Sequence, residues 1–193
     1  DDVESRGLGD VYKRQGLIPR RYAKALYKYA QDNGSADAIY EKLGVLVKAY
    51  AEHPKLDKAM SNPALSASDK EALLVAAFGE DPGKELLRFI RLVIKNRRET
   101  FMRTIALEYQ SAYRNANGIA LITIVTATQL DDNVLGKIRA IMQQKTDKKL
   151  EYAYQVDPTI IGGFILRVDS MQLDASVNNE LKKLRLQLMN SKL

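Results

Sequence analysis

The chain has no cysteine and a single histidine, His53. These two shortages remove most catalytic chemistry at the outset. Without thiols there is no disulfide, no thiolate metal site and no cysteine nucleophile, and a cysteine-free chain suits a reducing compartment. A Ser-His-Asp triad would rest wholly on His53, which precedes Pro54 in what reads as a surface loop. No H-E-x-x-H, G-x-S-x-G, D-x-D-x-D-G, G-x-G-x-x-G or G-x-x-x-x-G-K-[ST] pattern occurs. The acidic pairs Glu80-Asp81 and Asp131-Asp132 fall at expected helix starts, where they complement the helix dipole. A run of ~18 apolar residues able to span a bilayer is also missing. The longest apolar stretch, Ile119 to Ala127, is broken by threonines and reads as a strand. These absences describe a protein that is not an enzyme on its own, with no metal, no cofactor and no small-molecule substrate.

What is present is a chain of 193 residues, 46% hydrophobic and 28% charged, enough for one ordinary domain or two small ones. Its net charge of +6 favours an acidic partner, whether nucleic acid, a membrane surface or an acidic protein. Residues 1–15 differ from the rest. They mix four acidic with three basic residues, carry Gly7 and Gly9, and show neither helical nor strand periodicity. With no apolar core and too many acids they fit neither a signal peptide nor a transit peptide, and we expect a disordered or foreign extension.

From Arg20 to Ala116 the pattern is helical. The first helix spans roughly Arg20 to Asp32 and stops at Asn33-Gly34. A second runs from a Ser35 cap to about Ala51, burying Ile39, Leu43, Leu46, Val47 and Tyr50, and a short third follows His53-Pro54. Ser68-Asp69-Lys70-Glu71 reads as a capping box for the fourth, with Leu73, Leu74, Ala77 and Phe78 apolar. A fifth opens at Asp81-Pro82 and ends near Asn96-Arg97-Arg98, and a sixth covers Thr100 to Asn115. At Asn117-Gly118 the period changes from 3.6 to 2. A strand over Ile119 to Thr126 precedes an Asp131-capped helix carrying Val134, Leu135, Ile138, Ile141 and Met142. Leu150, Tyr152, Tyr154 and Val156 then alternate on one face of a second strand, the expected core face. Next comes a buried-strand pattern (Ile161, Phe164, Leu166, Val168) interrupted by Gly162-Gly163, where paired glycines imply close backbone approach or a bulge. A turn leads to a final helix capped by Asp174 or Ser176, whose row Val177, Leu181, Leu184 and Leu188 would pack on the sheet. The expected fold is α+β: an N-terminal six-helix bundle over residues 16–117, then a small C-terminal α+β module of three to four strands and two helices over 118–193.

Two helices are more apolar than a surface helix needs. On a wheel at about 100° per residue, helix one confines Arg20, Arg21, Lys24, Lys28, Gln31 and Asp32 to one arc. Ala23, Leu26 and Ala30 share the other arc with Tyr22, Ala25 and Tyr29, which sit toward its border. Helix five has Leu86, Leu87, Phe89, Ile90, Leu92, Val93 and Ile94 beside a narrow stripe of Arg88, Arg91 and Lys95. Both could be central helices of the bundle, or they could flank a groove that receives an amphipathic helix from another chain. Tyr22, Ala25, Tyr29, Arg88 and Leu92 are the candidates for that groove. In the last helix Leu186 and Met189, with Leu173 before it, lie off the packing row, and Lys182, Lys183 and Arg185 flank them.

The stretch Ile160-Ile161-Gly162-Gly163-Phe164-Ile165-Leu166-Arg167-Val168, followed by Asp174-Ala175-Ser176-Val177, resembles the C-terminal signature of the delta subunit of F-type ATP synthases, the oligomycin-sensitivity-conferring protein of mitochondria. Arg21-Tyr22-Ala23-Lys24-Ala25-Leu26 is similar to that family's R-x-Y-A-x-A-[LF] opening, Ser61-Asn62-Pro63 with Lys70 to its N-P…K segment, and Phe89-Ile90 through Asn96-Arg97-Arg98 to its fifth helix. Asp169 stands where many members carry glycine, a position that Asp tolerates. The resemblance implies a non-catalytic stator subunit, peripheral on the cytoplasmic face of a bacterial inner membrane. Its bundle would bind N-terminal helices of alpha subunits. Its C-terminal module would bind the C-terminal region of b subunits through Lys182, Arg185, Leu186 and Met189. Proton flow would thereby be coupled to ATP synthesis. The alternative is a basic RNA- or DNA-binding protein, with Lys145, Lys148, Lys149, Lys182, Lys183 and Arg185 on phosphates and Tyr152 or Tyr154 stacking on bases. Against it, both tyrosines share a face with Leu150 and Val156, and no RNP1 or GXXG pattern appears.

Overall fold

The computed structural model describes the backbone of residues 2–79, 81–129, 131–144, 146–168 and 171–190, and their side chains except at 2–15, 132 and 184–190. The expectation for Asp169 lies outside that set, and residues 2–15, part of the segment read as a disordered or foreign extension, enter it only as backbone. The fold is α+β, and the chain divides into two compact units, Asp1–Tyr113 and Arg114–Leu193.

The first unit is helical: α1 (Asp2–Asp32), α2 (Ala36–Glu52), α3 (Lys55–Ser61), α4 (Ala67–Ala77), α5 (Lys84–Lys95) and α6 (Met102–Ala116), the last running past the unit boundary. Helix α1 begins well before the expected Arg20 and continues through Pro19, but it stops where Asn33-Gly34 predicts. Gly34 adopts φ +66, a left-handed conformation that costs glycine nothing. Two caps differ from expectation. Ser35 precedes α2 without capping it. Its hydroxyl donates instead to Glu85 Oε2, so the side chain links the α1–α2 connection to α5. The capping box of α4 is Ser66 with Asp69, two residues earlier than expected. Asp69 N–H donates to Ser66 Oγ at 3.1 Å, and Ser66 N–H donates back to Asp69 Oδ2 at 3.3 Å. That shift turns Lys70 into the interior and Leu73 outward.

One continuous core serves this unit. Ala23, Leu26 and Ala30 of α1 meet Ile39, Leu43, Leu46 and Tyr50 of α2, Leu74 of α4, Leu86, Ile90 and Val93 of α5, and Ile105 and Tyr109 of α6. Each fully buried aliphatic side chain contributes roughly 1.5–3 kcal/mol relative to exposure. Tyrosines tie the rim. Tyr27 packs edge-on against Tyr109 and Tyr113, and Tyr40 stacks on Tyr113 at 4.2 Å.

The second unit is a four-stranded mixed sheet of order β2-β1-β3-β4, built from β1 (Ile119–Thr126), β2 (Lys149–Val156), β3 (Gly163–Val168) and β4 (Met171–Ser176). The parallel β1–β2 pair needs a crossover, and α7 (Asp132–Gln143) provides it. Asp131 caps α7 as expected, accepting from Asn133 N–H at 3.0 Å. The antiparallel pairs β1–β3 and β3–β4 complete the sheet.

Three strand readings need correction. The glycine pair does not interrupt a strand. Residues Pro158–Ile160 form a 3₁₀ turn, Ile161 turns outward at φ +67, and β3 starts at Gly163. The buried member of β3 is Ile165, which clusters with Val125 and Ile160, while Ile161 and Phe164 are exposed. The close approach itself is present: a Cβ on Gly163 would lie 2.2 Å from the Ala175 carbonyl oxygen. The turn expected before the last helix is strand β4, so Leu173 belongs to the sheet and not to a helix. Finally, β2 is an edge strand, which leaves Tyr154 and Val156 exposed although they alternate with Leu150 and Tyr152 as predicted.

Helix α8 (Val177–Asn190) follows β4 with no linking loop. The Ser176 hydroxyl accepts from Asn179 N–H at 3.2 Å, one of the two caps foreseen. The row meant for the sheet opens outward in its first members: Val177 and Leu181 are 42% and 53% exposed. The helix leaves directly from the edge strand and meets β4.

Candidate functional site

In the first unit, α1 and α5 lie side by side and leave an open groove of about 850 Å³ between them. Both helices spend one apolar stripe on the common core, and the groove is built from what remains. Helix α1 buries Ala23, Leu26 and Ala30, so Tyr22, Ala25 and Tyr29, one turn apart along the adjoining edge, line the groove. Helix α5 buries Leu86, Phe89, Ile90, Val93 and Ile94, which leaves Arg88 and Leu92 on the opposite wall. The structure therefore brings together all five residues singled out from the wheels. Two large apolar side chains remain uncovered, Tyr29 at 41% and Leu92 at 49% exposure.

The floor is fixed by specific contacts. Tyr22 packs edge-on against Phe89 at 6.3 Å, and its hydroxyl accepts from Asn96 Nδ2 at 3.0 Å. The charge on the rim is unbalanced. Arg21, Arg88 and Arg98 line the groove, and Glu85, already engaged by Ser35, is the single acid among the described lining residues. Neighbouring arginines are neutralised: Arg20 meets Glu108 at 3.3 Å and Arg91 meets Glu71 at 2.7 Å. Among the described residues no ion pair reaches Arg21, Arg88 or Arg98. Sequence reasoning missed Arg21, Phe89, Asn96 and Arg98 as lining residues. The acidic partners that neutralise Arg20 and Arg91 are distant in sequence, so spacing alone gave no way to see which arginines stay free.

The second unit carries its own apolar surplus. Paired residues in a sheet share a face, and the register puts Ile124, Tyr154, Leu166 and Leu173 on one side. Ile124 is buried, whereas Phe164 and Leu173 on that same face are exposed. Tyr152 and Tyr154 of the alternative reading both receive the Arg139 guanidinium, 5.6 and 5.5 Å from their ring centres, and Arg139 Nε donates to the Tyr154 hydroxyl at 2.8 Å. Desolvation raises the Tyr152 phenol. Of the residues proposed for a b-subunit contact, Lys182 is exposed. Arg185, Leu186 and Met189 lie outside the described side chains. Hydrogen bonds from Thr159 and Ser176 hold the carboxyls of Asp157, ahead of β3, and Asp174, near the end of β4, below the usual carboxylate range.

Among the described residues, no group of three or more His, Asp or Glu is placed to hold a metal ion, and no helix is long and apolar enough to cross a membrane. His53 sits exposed at the end of α2.

The ATP synthase delta (OSCP) subunit family model matches residues 18–188. ATP synthase subunit delta of Phocaeicola vulgatus is 37% identical over 175 residues, covering 90% of this chain and 95% of that protein. The subunit of the same name from Bacteroides thetaiotaomicron is 34% identical over 177 residues, covering 91% and 95%. A chain in the cryo-EM structure of the Toxoplasma gondii mitochondrial ATP synthase hexamer superimposes with a TM-score of 0.67 at 21% identity, covering 89% of this chain and 97% of that one, a likeness of fold.

Proposed function

The chain belongs to the ATP synthase delta (OSCP) subunit family, and from that premise we propose that it is the stator link between the catalytic head and the stalk. As a family member it is a non-catalytic subunit of an ATP synthase, serving ATP synthesis and ion transport within the peripheral stalk. In our reading residues 16–117 form a six-helix bundle that caps the head by taking an N-terminal helix of an alpha subunit. Residues 118–193 grip the C-terminal region of the b subunits. Through the complex the chain lies peripherally on the cytoplasmic face of a bacterial inner membrane.

The observation that carries the alpha-subunit reading is the α1–α5 groove. Its described lining runs from Ile18 to Tyr29 along α1, about 16 Å at 1.5 Å per residue, which suits about three turns of a partner helix. An apolar floor between unpaired arginines suits an amphipathic helix with acidic flanks. Apolar area suits a static mechanical joint, because exposed ion pairs are individually worth only ~0–1 kcal/mol. For the b subunits, Lys182, Arg185, Leu186 and Met189 remain the proposed contacts on α8. The exposed Phe164, Leu173 and Leu181 widen the apolar area on offer.

Co-purification tests the reading. A tagged copy drawn from detergent-solubilised membranes should bring alpha and b subunits with it. A tagged 16–117 fragment should retain alpha and lose b. Retention of b by that fragment, or loss of alpha from it while it is folded, would overturn the assignment of ends.

A further inference from the structure

The connection from β2 to β3 holds two consecutive isoleucines with opposite placements. Ile160 is buried and clusters with Val125 and Ile165, so it anchors the connection in the sheet unit. Ile161 is 67% exposed. Its backbone sits at φ +67 and ψ −36, a region that glycine enters freely and where a β-branched residue is an outlier. Among the described residues it shares a positive φ with one other non-glycine, Arg97, which is not β-branched. Gly162 and Gly163 follow directly, and a third glycine at 161 would serve the turn with less strain. Strain of this kind persists only where the surroundings impose it, and it gathers at sites that bind a partner or ligand. The free fold gains little from the Ile161 side chain, most of which faces outward.

The isoleucine does not stand alone. Val177 N–H donates to the Gly162 carbonyl oxygen at 3.0 Å, and a Cβ on Gly162 would lie 3.3 Å from Val177 Cγ2, so the turn is seated against the start of α8. From there Val177 and Leu181, both exposed and four residues apart, carry the apolar surface one turn along the helix. An i, i+4 row of aliphatic side chains is the kind of ridge that packs into a second helix. Lys182 is exposed beside Leu181, and among the described residues no ion pair reaches it, whereas Lys183 meets Glu180 at 2.8 Å. A free cation at the edge of an apolar ridge is complementary to an acid beside the apolar face of the incoming helix.

We propose that Ile161 is an anchor for the b subunits. Held outward by the turn, it extends the Val177–Leu181 ridge, and an amphipathic helix of the b C-terminal region, with an acidic residue toward Lys182, closes over all three. This rests on the stalk reading and adds to it a contact that lies off α8. The strained backbone is kept because the side chain it projects is the one the partner covers.

The test is titration of the full chain with the soluble C-terminal segment of its own b subunit, alongside thermal unfolding of the free chain. Ile161→Gly should weaken b binding about tenfold, or ~1.4 kcal/mol, as expected from covering an exposed isoleucine. It should not lower the melting temperature of the sheet unit, since the relieved backbone offsets the lost side chain. Ile161→Leu keeps the apolar bulk and should bind b within about threefold of the unaltered chain. No binding of the b segment by the unaltered chain overturns the stalk reading and this inference together. With that binding in place, an Ile161→Gly chain within about threefold of the unaltered one overturns the inference alone. So does a melting temperature lowered by more than about 4 °C, which would make Ile161 a structural residue. Self-association of the unaltered chain that Ile161→Gly abolishes would give the ridge to a second copy and overturn the choice of partner.

Discussion

Ala25 is the place where the groove can be tested most sharply. It lies one turn from both Arg21 and Tyr29, is exposed, and lines the groove without entering the core. In the free chain Ala25→Asp removes no contact. It costs only the lower helix propensity of Asp, about 0.5 kcal/mol, or roughly 2 °C in a domain of this size. In the complex the same carboxylate would be covered by the partner. The gain at stake follows from the exposed neighbours. Leu92 has half its surface left to bury, worth about 1 kcal/mol. Tyr29 has 41% left, about 2 kcal/mol for an aromatic of its area. A charge set between them forfeits part of that gain and adds its own desolvation. Breaking a buried pair costs ~3–5 kcal/mol, but Arg21 on the rim can partly neutralise the new carboxylate, so about 2 kcal/mol is the expected loss.

By titration calorimetry with an alpha-subunit N-terminal peptide, Ala25→Asp should then weaken binding about thirtyfold. Ala25→Ser, small and uncharged, should stay within about threefold. Affinity within threefold for a folded Ala25→Asp chain would show that no partner helix covers this position. A collapse of the free chain's melting temperature would refute the reasoning differently, by making Ala25 part of the core.

Three further outcomes follow from particular contacts. Gly163→Ala should destabilise the sheet unit by about 3 kcal/mol or more, combining a left-handed backbone with a Cβ driven onto the Ala175 carbonyl oxygen; scanning calorimetry should show this while alpha-peptide binding persists, and an unshifted sheet transition would contradict it. Lys70→Met should lower stability by ~3–5 kcal/mol because Glu99 is left buried and unpaired, and adding Glu99→Leu should recover most of that; urea midpoints decide, and a double variant as weak as the single one counts against the pair. The Tyr113 phenol is pushed up to about 12, first by its hydrogen bond to Asp37 at 2.8 Å and then by desolvation. A folded pKa above the unfolded 10.0 gives stability present below pH 10 and lost as pH rises toward 12, so Tyr113→Phe should flatten that alkaline decline, and phenolate absorbance of the unaltered chain at pH 11 should stay below the unfolded value.

The helices were legible because their signals are local. The wheel of α5 sets seven apolar residues, with Leu92 at their edge, beside a stripe that includes Arg88, and five of the seven are buried; Asn33-Gly34 ends α1 through a backbone conformation one residue sets for itself. The groove was legible for the same reason, since it is what two overfilled apolar arcs leave after one core has been served. Its charge was not. Arg20 and Arg91 carry the same formal charge as Arg21 and Arg88, and only folding decides that Glu108 and Glu71 reach the first two. The capping boxes show a related limit. Ser66-Ala67-Ser68-Asp69 offers two serines before the helix, and the choice between them rotates Lys70 from the surface into the interior.

The sheet resisted sequence reading for a different physical reason. Period-2 alternation tells which side chains share a face, and the register agrees with the pattern: Tyr152 and Tyr154 pair across to Ile122 and Ile124, which are buried. It does not tell how deep in the sheet a strand lies, and β2 lies at an edge, so equal alternation gives unequal burial. The glycine pair shows the converse. The close approach it implied is real, but it serves the start of β3 against β4, and β4 was invisible because Met171-Gln172-Leu173 is an exposed edge with no buried partner to mark it. An edge strand with Leu173 and Met171 outward is a template for association unless something covers it. The stalk reading assigns that cover to the b subunits, so Leu173→Glu should weaken b binding and leave the alpha groove untouched. A pull-down in which b retention survives Leu173→Glu would confine the contact to α8 and remove the sheet from it.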